Sequence, residues 1–164
     1  RQGASVVIIS EPQEDRAQLG LEMGADYAIN PLEENFVAKV LDLTHGMGAD
    51  LYLEATGLPT IVYPQLEQTI WLGRTLNATV VVLARADAKM PVTGEVLQVR
   101  RASIVGSQGH SGHGTFPRVI ECMGDGMDMT RIVTKRITLD EVPENVEMLR
   151  DDRQECKISC VSFD

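Results

Sequence analysis

Glu11 and Arg16 are the side chains whose types and spacing most directly suggest chemistry in this sequence. Glu11 follows the apolar run at residues 6–10 in SVVIISEPQEDR, so we expect it at the carboxyl end of a buried strand. In a doubly wound sheet, ligands gather outside the carboxyl ends of the strands. A carboxylate there can accept hydrogen bonds from both hydroxyls of an adenosine ribose, and its charge repels a 2′-phosphate. The position favours NAD over NADP, with Arg16 curling over the ribose or the adenine.

The alternative interpretation is structural, because Glu11 also precedes a predicted helix whose dipole would stabilise a solvated carboxylate. Other candidates for chemistry are weaker. His110 and His113 in GHSGHG have no third zinc ligand nearby, so this loop is interpreted as one that closes over nicotinamide or substrate. His45 is interpreted as a residue at a helix end. The sequence therefore predicts neither a metal site nor a catalytic residue in this chain.

Composition limits the class of protein. A chain of 164 residues that is 43% hydrophobic and 24% charged is typical of one compact globular domain. The net charge of −9 argues against nucleic acid or anionic lipid as a partner. Since no apolar run approaches the roughly 20 residues that a membrane span needs, we expect a cytoplasmic protein. Cys122, Cys156 and Cys160 suggest no disulfide framework, and the last two are predicted to share one face of a strand.

Short apolar runs alternate with helical patterns, which predicts a doubly wound α/β fold of the Rossmann type with a parallel sheet. The predicted strands cover residues 6–10, 27–30, 51–55, 79–84, 103–106 and 157–161. None of these runs looks amphipathic, and the continuously apolar runs VVII and TVVVLA are typical of strands buried on both faces. Helices are predicted after Pro12, from about Glu34, around residues 59–70, and at residues 116–123 and 141–149, whereas residues 87–101 are predicted to be irregular.

Several longer segments resemble one family. They are SEPQEDRAQLGLEMGADYAINP, GMGADLYLEATG, NATVVVLARAD, VGSQGHSGHGTFPRVI and VPENVEMLR. Together they resemble the second half of zinc-type medium-chain alcohol and polyol dehydrogenases, the group that includes sorbitol, threonine and inosose dehydrogenases. The resemblance implies an NAD-binding segment of an enzyme that removes hydride from a secondary alcohol, such as a polyol or cyclitol, while zinc polarises the hydroxyl.

The same resemblance implies eleven cofactor-contacting positions, with zinc bound only in the intact family enzyme. They are Glu11 on the ribose, Arg16 beside the adenosine, Ala55, Thr56 and Gly57 in a turn beneath the cofactor, Val82, Leu83 and Ala84 at the nicotinamide carboxamide, Ser107 and Gln108 on the nicotinamide side, and Lys157 near the pyrophosphate.

The sequence also departs from the family pattern. A glycine-rich turn should precede Glu11 by about 20 residues, but only ten residues precede it. We therefore expect a truncated Rossmann domain over residues 1–164, without its first strand and glycine-rich turn and without the GroES-like domain that carries zinc in this family. Because the first strand is central, the strands at 6–10 and 51–55 are expected to pair directly, to borrow a strand from another copy, or to fold poorly. Such a chain is expected to be inactive alone and to bind NAD weakly or not at all.

Two other functions remain open at this point. One is a nucleotide-binding or scaffold module without catalysis, and the other is a domain like those of S-adenosylmethionine-dependent methyltransferases. The family resemblance further implies a homodimer or larger assembly through the edge strand at residues 103–106, and a small alcohol as substrate only in the intact enzyme.

Overall fold

A computed structural model describes residues 3–109, 114–151, 155 and 157–162. The elements in chain order are β1 (Ile8–Ser10), α1 (Glu14–Glu22), β2 (Tyr27–Ile29), α2 (Phe36–Leu43), β3 (Leu51–Glu54), α3 (Pro59–Leu72), β4 (Thr79–Val82), α4 (Gly94–Arg100), β5 (Ser103–Gly106), α5 (Thr115–Gly124), a 3-10 turn (Met129–Ile132), β6 (Lys135–Thr138), α6 (Val142–Asp151) and β7 (Ile158–Ser162). The chain divides into two compact units. The first unit contains α1, α5, α6 and strands β1, β2, β6 and β7, and the second unit contains α2 to α4 and strands β3 to β5.

Every strand pair in the described residues is parallel. In the first unit β1 pairs with β2, and β6 pairs with β7. In the second unit the order is β3-β4-β5, so β5 is an edge strand of the described sheet. This alternation of parallel strands and helices confirms the predicted α/β class. In the described residues β1 pairs with β2 and β3 pairs with β4. The expectation that the strands before Glu11 and at Leu51 pair directly, borrow a strand from another copy or fold poorly stays a prediction. The homodimer through β5 stays a prediction.

The core of the second unit lies on one face of its sheet. Tyr52 of β3 and Val80 of β4 are buried there, at 7% and 2% exposure, and they pack with Tyr63 and Leu66 of α3 and Val96 of α4. The buried residues of α3 recur every three or four positions, as the 3.6-residue period of a helix requires. α3 also continues through an internal proline, Pro64. The two helices therefore cover the Tyr52 face of the sheet.

The opposite face of this sheet is open. Leu51 and Leu53 of β3 are 55% and 63% exposed, although they belong to the apolar run LYLE. The prediction that no strand is amphipathic is therefore wrong for β3, which alternates exposed and buried residues. The physical reason is that α3 and α4 contribute to the core formed on the Tyr52 side only. Burial of VVII on both faces is also wrong, because no residue of β1 is fully buried.

Helix α5 of the first unit also presents an apolar surface. Phe116, Val119, Ile120 and Met123 recur at the spacing of one helix face, and each is at least 44% exposed. The charged pair Arg118 and Glu121, whose side chains form an ion pair of 2.9 Å, is likewise exposed. α5 is therefore an amphipathic helix whose apolar stripe remains in solvent in this structure.

Two elements were not expected from the sequence. α4 lies in the stretch predicted to be irregular, because Pro91 and Gly94 obscured a short helix whose Val96 is 2% exposed. β6 has the sequence KRIT, in which only Ile137 is buried, so no apolar run announced it. The other predicted strands and helices are confirmed, with ends that differ by a few residues. A search of the described helices for a segment able to span a membrane finds none.

Candidate functional site

Glu11 lies at the carboxyl end of β1, where the sequence places it. Its backbone N–H donates to the Ile29 carbonyl at 3.0 Å, which ties the end of β1 to the end of β2. The side chain is only 15% exposed. One oxygen accepts the Gln13 N–H at 3.0 Å, and the other lies 3.3 Å from Arg16 Nη2. Glu11 is thus fixed at the rim of the sheet, with the Arg16 side chain folded back onto its carboxylate. Contact of Arg16 with the ribose or the adenine stays a prediction.

These contacts bear on the structural alternative for Glu11. Gln13 is the N-cap residue of α1 and its own side chain makes no capping hydrogen bond, so the Glu11 carboxylate takes part in ordering the start of this helix. The carboxylate is 15% exposed, so it is less solvated than that alternative supposes. A role in helix capping and a role in ribose binding are compatible, because a carboxylate has about four lone-pair positions.

Lys157 occupies a different kind of position. It lies immediately before β7, and its carbonyl accepts the N–H groups of Thr134 and Lys135 at the start of β6. Lys157 is therefore at the amino end of a parallel strand pair, whereas Glu11 is at a carboxyl end. The assignment of Lys157 to the pyrophosphate stays a prediction, and its location is the least typical of the set for a doubly wound sheet.

The other predicted residues meet at one edge of the sheet in the second unit. The register pairs Glu54 with Val82 and Val82 with Gly106, so the three strands end side by side. The segments that follow these ends contain the remaining predicted positions, which are Ala55, Thr56 and Gly57 after β3, Leu83 and Ala84 after β4, and Ser107 and Gln108 after β5. Parallel packing thus brings seven of these positions, and Val82 itself, to one edge.

Hydrogen bonds hold these segments together. The Ser107 N–H donates to the Val82 carbonyl at 3.0 Å. The N–H groups of Leu83 and Ala84 both donate to the Glu54 carbonyl, at 2.8 and 3.2 Å. Since these three N–H groups are already engaged, Leu83, Ala84 and Ser107 would meet a ligand through carbonyl oxygens or side chains.

Glu54 is the residue of this edge that sequence reasoning missed. It is 4% exposed, and its carboxylate accepts the Thr56 N–H at 2.7 Å, the Thr56 hydroxyl at 2.5 Å and the Gly57 N–H at 3.2 Å. The available signal was a single acid at the end of the apolar run LYLE, directly before the turn ATG. Buried acids are rare unless their oxygens are satisfied, so this position was a candidate for a role in the turn.

Tyr63 of α3 lies in the electrostatic field of Glu54. The Tyr63 side chain is 2% exposed, and burial, reinforced by the negative charge of Glu54, raises the pKa of its phenol. Its hydroxyl finds no hydrogen-bond partner among the described residues. A buried hydroxyl without a partner carries a desolvation cost of about 1–3 kcal/mol.

Replacing Tyr63 by phenylalanine is therefore expected to raise the free energy of unfolding by about 1 kcal/mol, because the substitution removes an unsatisfied polar atom and keeps the ring. Urea unfolding at neutral pH measures the change. Tyr52→Phe is the matched control, since the Tyr52 hydroxyl accepts the Ala49 N–H at 3.3 Å and its loss should destabilise the protein. A decrease in stability for both variants would contradict the prediction.

Metal binding was tested against the described residues. Within residues 3–109, 114–151, 155 and 157–162, no three histidine, cysteine, aspartate or glutamate side chains form a group that would hold a metal ion. The loop with His110 and His113 lies outside the described residues, as does Cys156, so their interpretations stay predictions. His45 follows α2 with φ 53°, as expected for a residue at a helix end.

Comparison with known proteins decides the family. The family model described as zinc-binding dehydrogenase matches residues 1–125. The chain belongs to the zinc-binding dehydrogenase family. The chain is 58% identical over 160 residues to scyllo-inosose 3-dehydrogenase from Thermotoga maritima, a match that covers 98% of the chain and 40% of that protein. It is also 46% identical over 72 residues to L-threonine 3-dehydrogenase from Pyrococcus furiosus, covering 44% of the chain and 21% of that protein.

Solved structures share the fold of this chain. One described as an alcohol dehydrogenase from Thermotoga maritima superposes with a TM-score of 0.93 at 58% identity, covering 97% of this chain and 40% of that one. The family resemblance inferred from the sequence is confirmed. The chain spans about 40% of the length of scyllo-inosose 3-dehydrogenase and of the Thermotoga maritima structure that it matches.

Proposed function

We propose that this chain is the NAD-binding segment of a zinc-dependent dehydrogenase that oxidises a secondary alcohol, a polyol or cyclitol. The observation that carries the proposal is the Glu11 carboxylate, 15% exposed and fixed at the carboxyl end of β1 in a chain of this family. The name of the 58% identical relative, scyllo-inosose 3-dehydrogenase, supports a cyclic polyol ketone or its alcohol as the substrate class.

The residues present fit a nicotinamide dinucleotide. Glu11 offers carboxylate oxygens to the ribose hydroxyls and a negative charge that disfavours a 2′-phosphate, and Arg16 holds that carboxylate in place. In the second unit, the Glu54 carbonyl accepts the N–H groups of Leu83 and Ala84. The carbonyl oxygens of these two residues would therefore accept hydrogen bonds from the N–H groups of a carboxamide. NAD supplies the hydride acceptor when it is bound.

Zinc does not fit the described residues, because no three of their side chains form a group that could bind it. In the proposal the zinc ligands belong to a GroES-like portion of the family fold outside these 164 residues. The chain alone is then a partial Rossmann-type domain that binds cofactor weakly and does not oxidise alcohols.

Cofactor binding is tested by saturation-transfer NMR, which detects weak ligands, with NAD, NADP and S-adenosylmethionine added separately to the chain. We expect transfer to the adenine and ribose protons of NAD, less for NADP, and none for S-adenosylmethionine. Equal signals from NAD and S-adenosylmethionine would favour a methyltransferase-like domain. Absence of any transfer from NAD would overturn the proposal.

Catalysis is tested in a chimera in which this chain replaces the 160 aligned residues of scyllo-inosose 3-dehydrogenase from Thermotoga maritima. The chimera is expected to retain NAD-dependent oxidation of that relative's substrate, whereas the isolated chain with added zinc shows none. Measurable alcohol oxidation by the isolated chain would contradict the division of roles, and a folded chimera that binds NAD without activity would favour a non-catalytic binding module.

A further inference from the structure

We infer that Glu54 is a positioning residue for the nicotinamide half of the cofactor, acting through the turn at residues 55–57 and the end of β4. The inference rests on the proposed function. It concerns a residue that touches no ligand itself, since its side chain is 4% exposed and points its oxygen into the turn.

The carboxylate of Glu54 fixes the first segment. A single oxygen, Oε1, accepts three hydrogen bonds, from the N–H and the hydroxyl of Thr56 and from the N–H of Gly57. The Thr56 hydroxyl in turn accepts the N–H of Leu58, the N-cap residue of α3, at 3.0 Å. The path of the turn from the end of β3 to the start of α3 is thus set by one side chain.

The carbonyl of Glu54 fixes the second segment. It accepts the N–H groups of Leu83 and Ala84, so the residues after β4 are held against the end of β3. The two segments approach closely at Gly57, which has φ +69° and where an added Cβ would lie 3.3 Å from the Arg85 carbonyl. The carboxylate and the carbonyl of Glu54 therefore set the spacing between the turn expected beneath the cofactor and the residues after β4 expected at the nicotinamide carboxamide.

Packing in the hydrophobic core does not explain why the side chain at position 54 is a carboxylate. Removing a carboxylate from water is unfavourable, and an apolar side chain would pack the same space without that cost. In the described part of the chain Glu54 forms no ion pair that would offset it, and its partners are backbone N–H groups and one hydroxyl. Those donors belong to Thr56, which is exposed, and to Gly57, which is partly exposed, after the carboxyl end of β3, where a ligand is expected. The hydrogen bonds of the carboxylate instead order the turn at that end of the sheet.

The experiment uses the 164-residue chain with NADH as the probe and saturation-transfer NMR as the readout. Adenine and nicotinamide protons resolve separately, so each half of the cofactor is reported independently. Glu54→Ala is expected to lower transfer to the nicotinamide protons about tenfold, the effect of losing one well-placed hydrogen-bonding partner, and to leave transfer to the adenine protons unchanged. Glu54→Gln, which keeps an acceptor oxygen, should restore most of the nicotinamide signal.

Glu67→Ala is the matched control. Glu67 lies in the same unit and its carboxylate also accepts the N–H and hydroxyl of one threonine, Thr93, away from the strand ends. It should leave both signals unchanged. If Glu54→Ala does not fold, Glu54→Asp replaces it, because the shorter side chain retains the charge and withdraws the oxygen from the turn.

The outcomes separate the two proposals. No adenine transfer in the unaltered chain means that the proposed function fails. Adenine transfer without nicotinamide transfer in that chain, or an unchanged nicotinamide signal in a folded alanine or aspartate variant, overturns the role of Glu54 alone. A parallel loss of both signals in every Glu54 variant would show a purely structural role and would equally overturn it.

Discussion

Replacing Glu11 by alanine is expected to raise the KM for NAD about ten- to hundredfold in the chimera, with little change in kcat. A carboxylate that accepts two hydroxyl hydrogen bonds contributes about 1.5–3 kcal/mol for each, and water replaces part of that interaction when the side chain is removed. The adenosine ribose of NAD lies far from the reacting carbon of the nicotinamide ring. The ground state and the transition state therefore lose the interaction with Glu11 equally. Preference for NAD over NADP should narrow, because the charge that repels a 2′-phosphate is gone.

Two further variants isolate the cause of this effect. Glu14→Ala removes an exposed acid from the first turn of α1 and should leave the KM near that of the unaltered chimera. Glu11→Gln keeps an acceptor for the Gln13 N–H, so it preserves the start of α1 while it abolishes the charge. An unchanged KM and an unchanged cofactor preference in folded Glu11→Ala would assign this residue to helix capping only.

Gly73→Ala is expected to lower the free energy of unfolding by about 2–3 kcal/mol, the range for overfilling a packed site. A Cβ at this position would lie 2.7 Å from the Met47 carbonyl oxygen and 2.9 Å from the Thr69 carbonyl oxygen. Both are backbone atoms. The Met47 carbonyl accepts the Thr75 N–H at 2.9 Å and the Thr69 carbonyl accepts the Gly73 N–H at 2.9 Å, so neither can move without breaking a hydrogen bond.

Urea unfolding followed by the fluorescence of Trp71, the single tryptophan, measures this change in the second unit. Gly94→Ala is the control, because nothing lies within 4 Å of the Cβ it adds and α4 begins at this residue. That variant should be neutral or slightly stabilising, since alanine favours helix by up to about 1 kcal/mol over glycine. Equal stability of the two variants would show that the turn at residues 46–48 yields to the added methyl group.

The sequence predicts the elements in which hydrophobic period and length agree. VVII and TVVVLA indicated strands, and the position of Glu11 after the first of them followed from that pattern. The hydrophobic pattern could not predict α4 and β6, because each has a single buried residue, Val96 or Ile137, and one buried residue defines no period. Short elements of this kind are stabilised by the surfaces against which they pack, and such surfaces are not visible locally.

The candidate site follows the same division. The ends of strands locate Thr56, Leu83 and Ser107 at one edge, because parallel strands end together. Glu54 also ends an apolar run, but its burial depends on the turn that folds over it, and that burial is not visible in the sequence. The resemblance supplied residue roles, and the structure supplied the hydrogen bonds that connect them.

The open leucine face of β3 and the apolar stripe of α5 affect how folding of this chain can be assayed. Environment-sensitive dyes such as ANS bind exposed hydrocarbon, and Leu53 and Ile120 are 63% and 67% exposed in the native fold. An increase in dye fluorescence is therefore expected from the native fold and does not indicate a molten globule in this protein. Cooperative unfolding and near-ultraviolet circular dichroism are the criteria that distinguish a folded variant from a collapsed one.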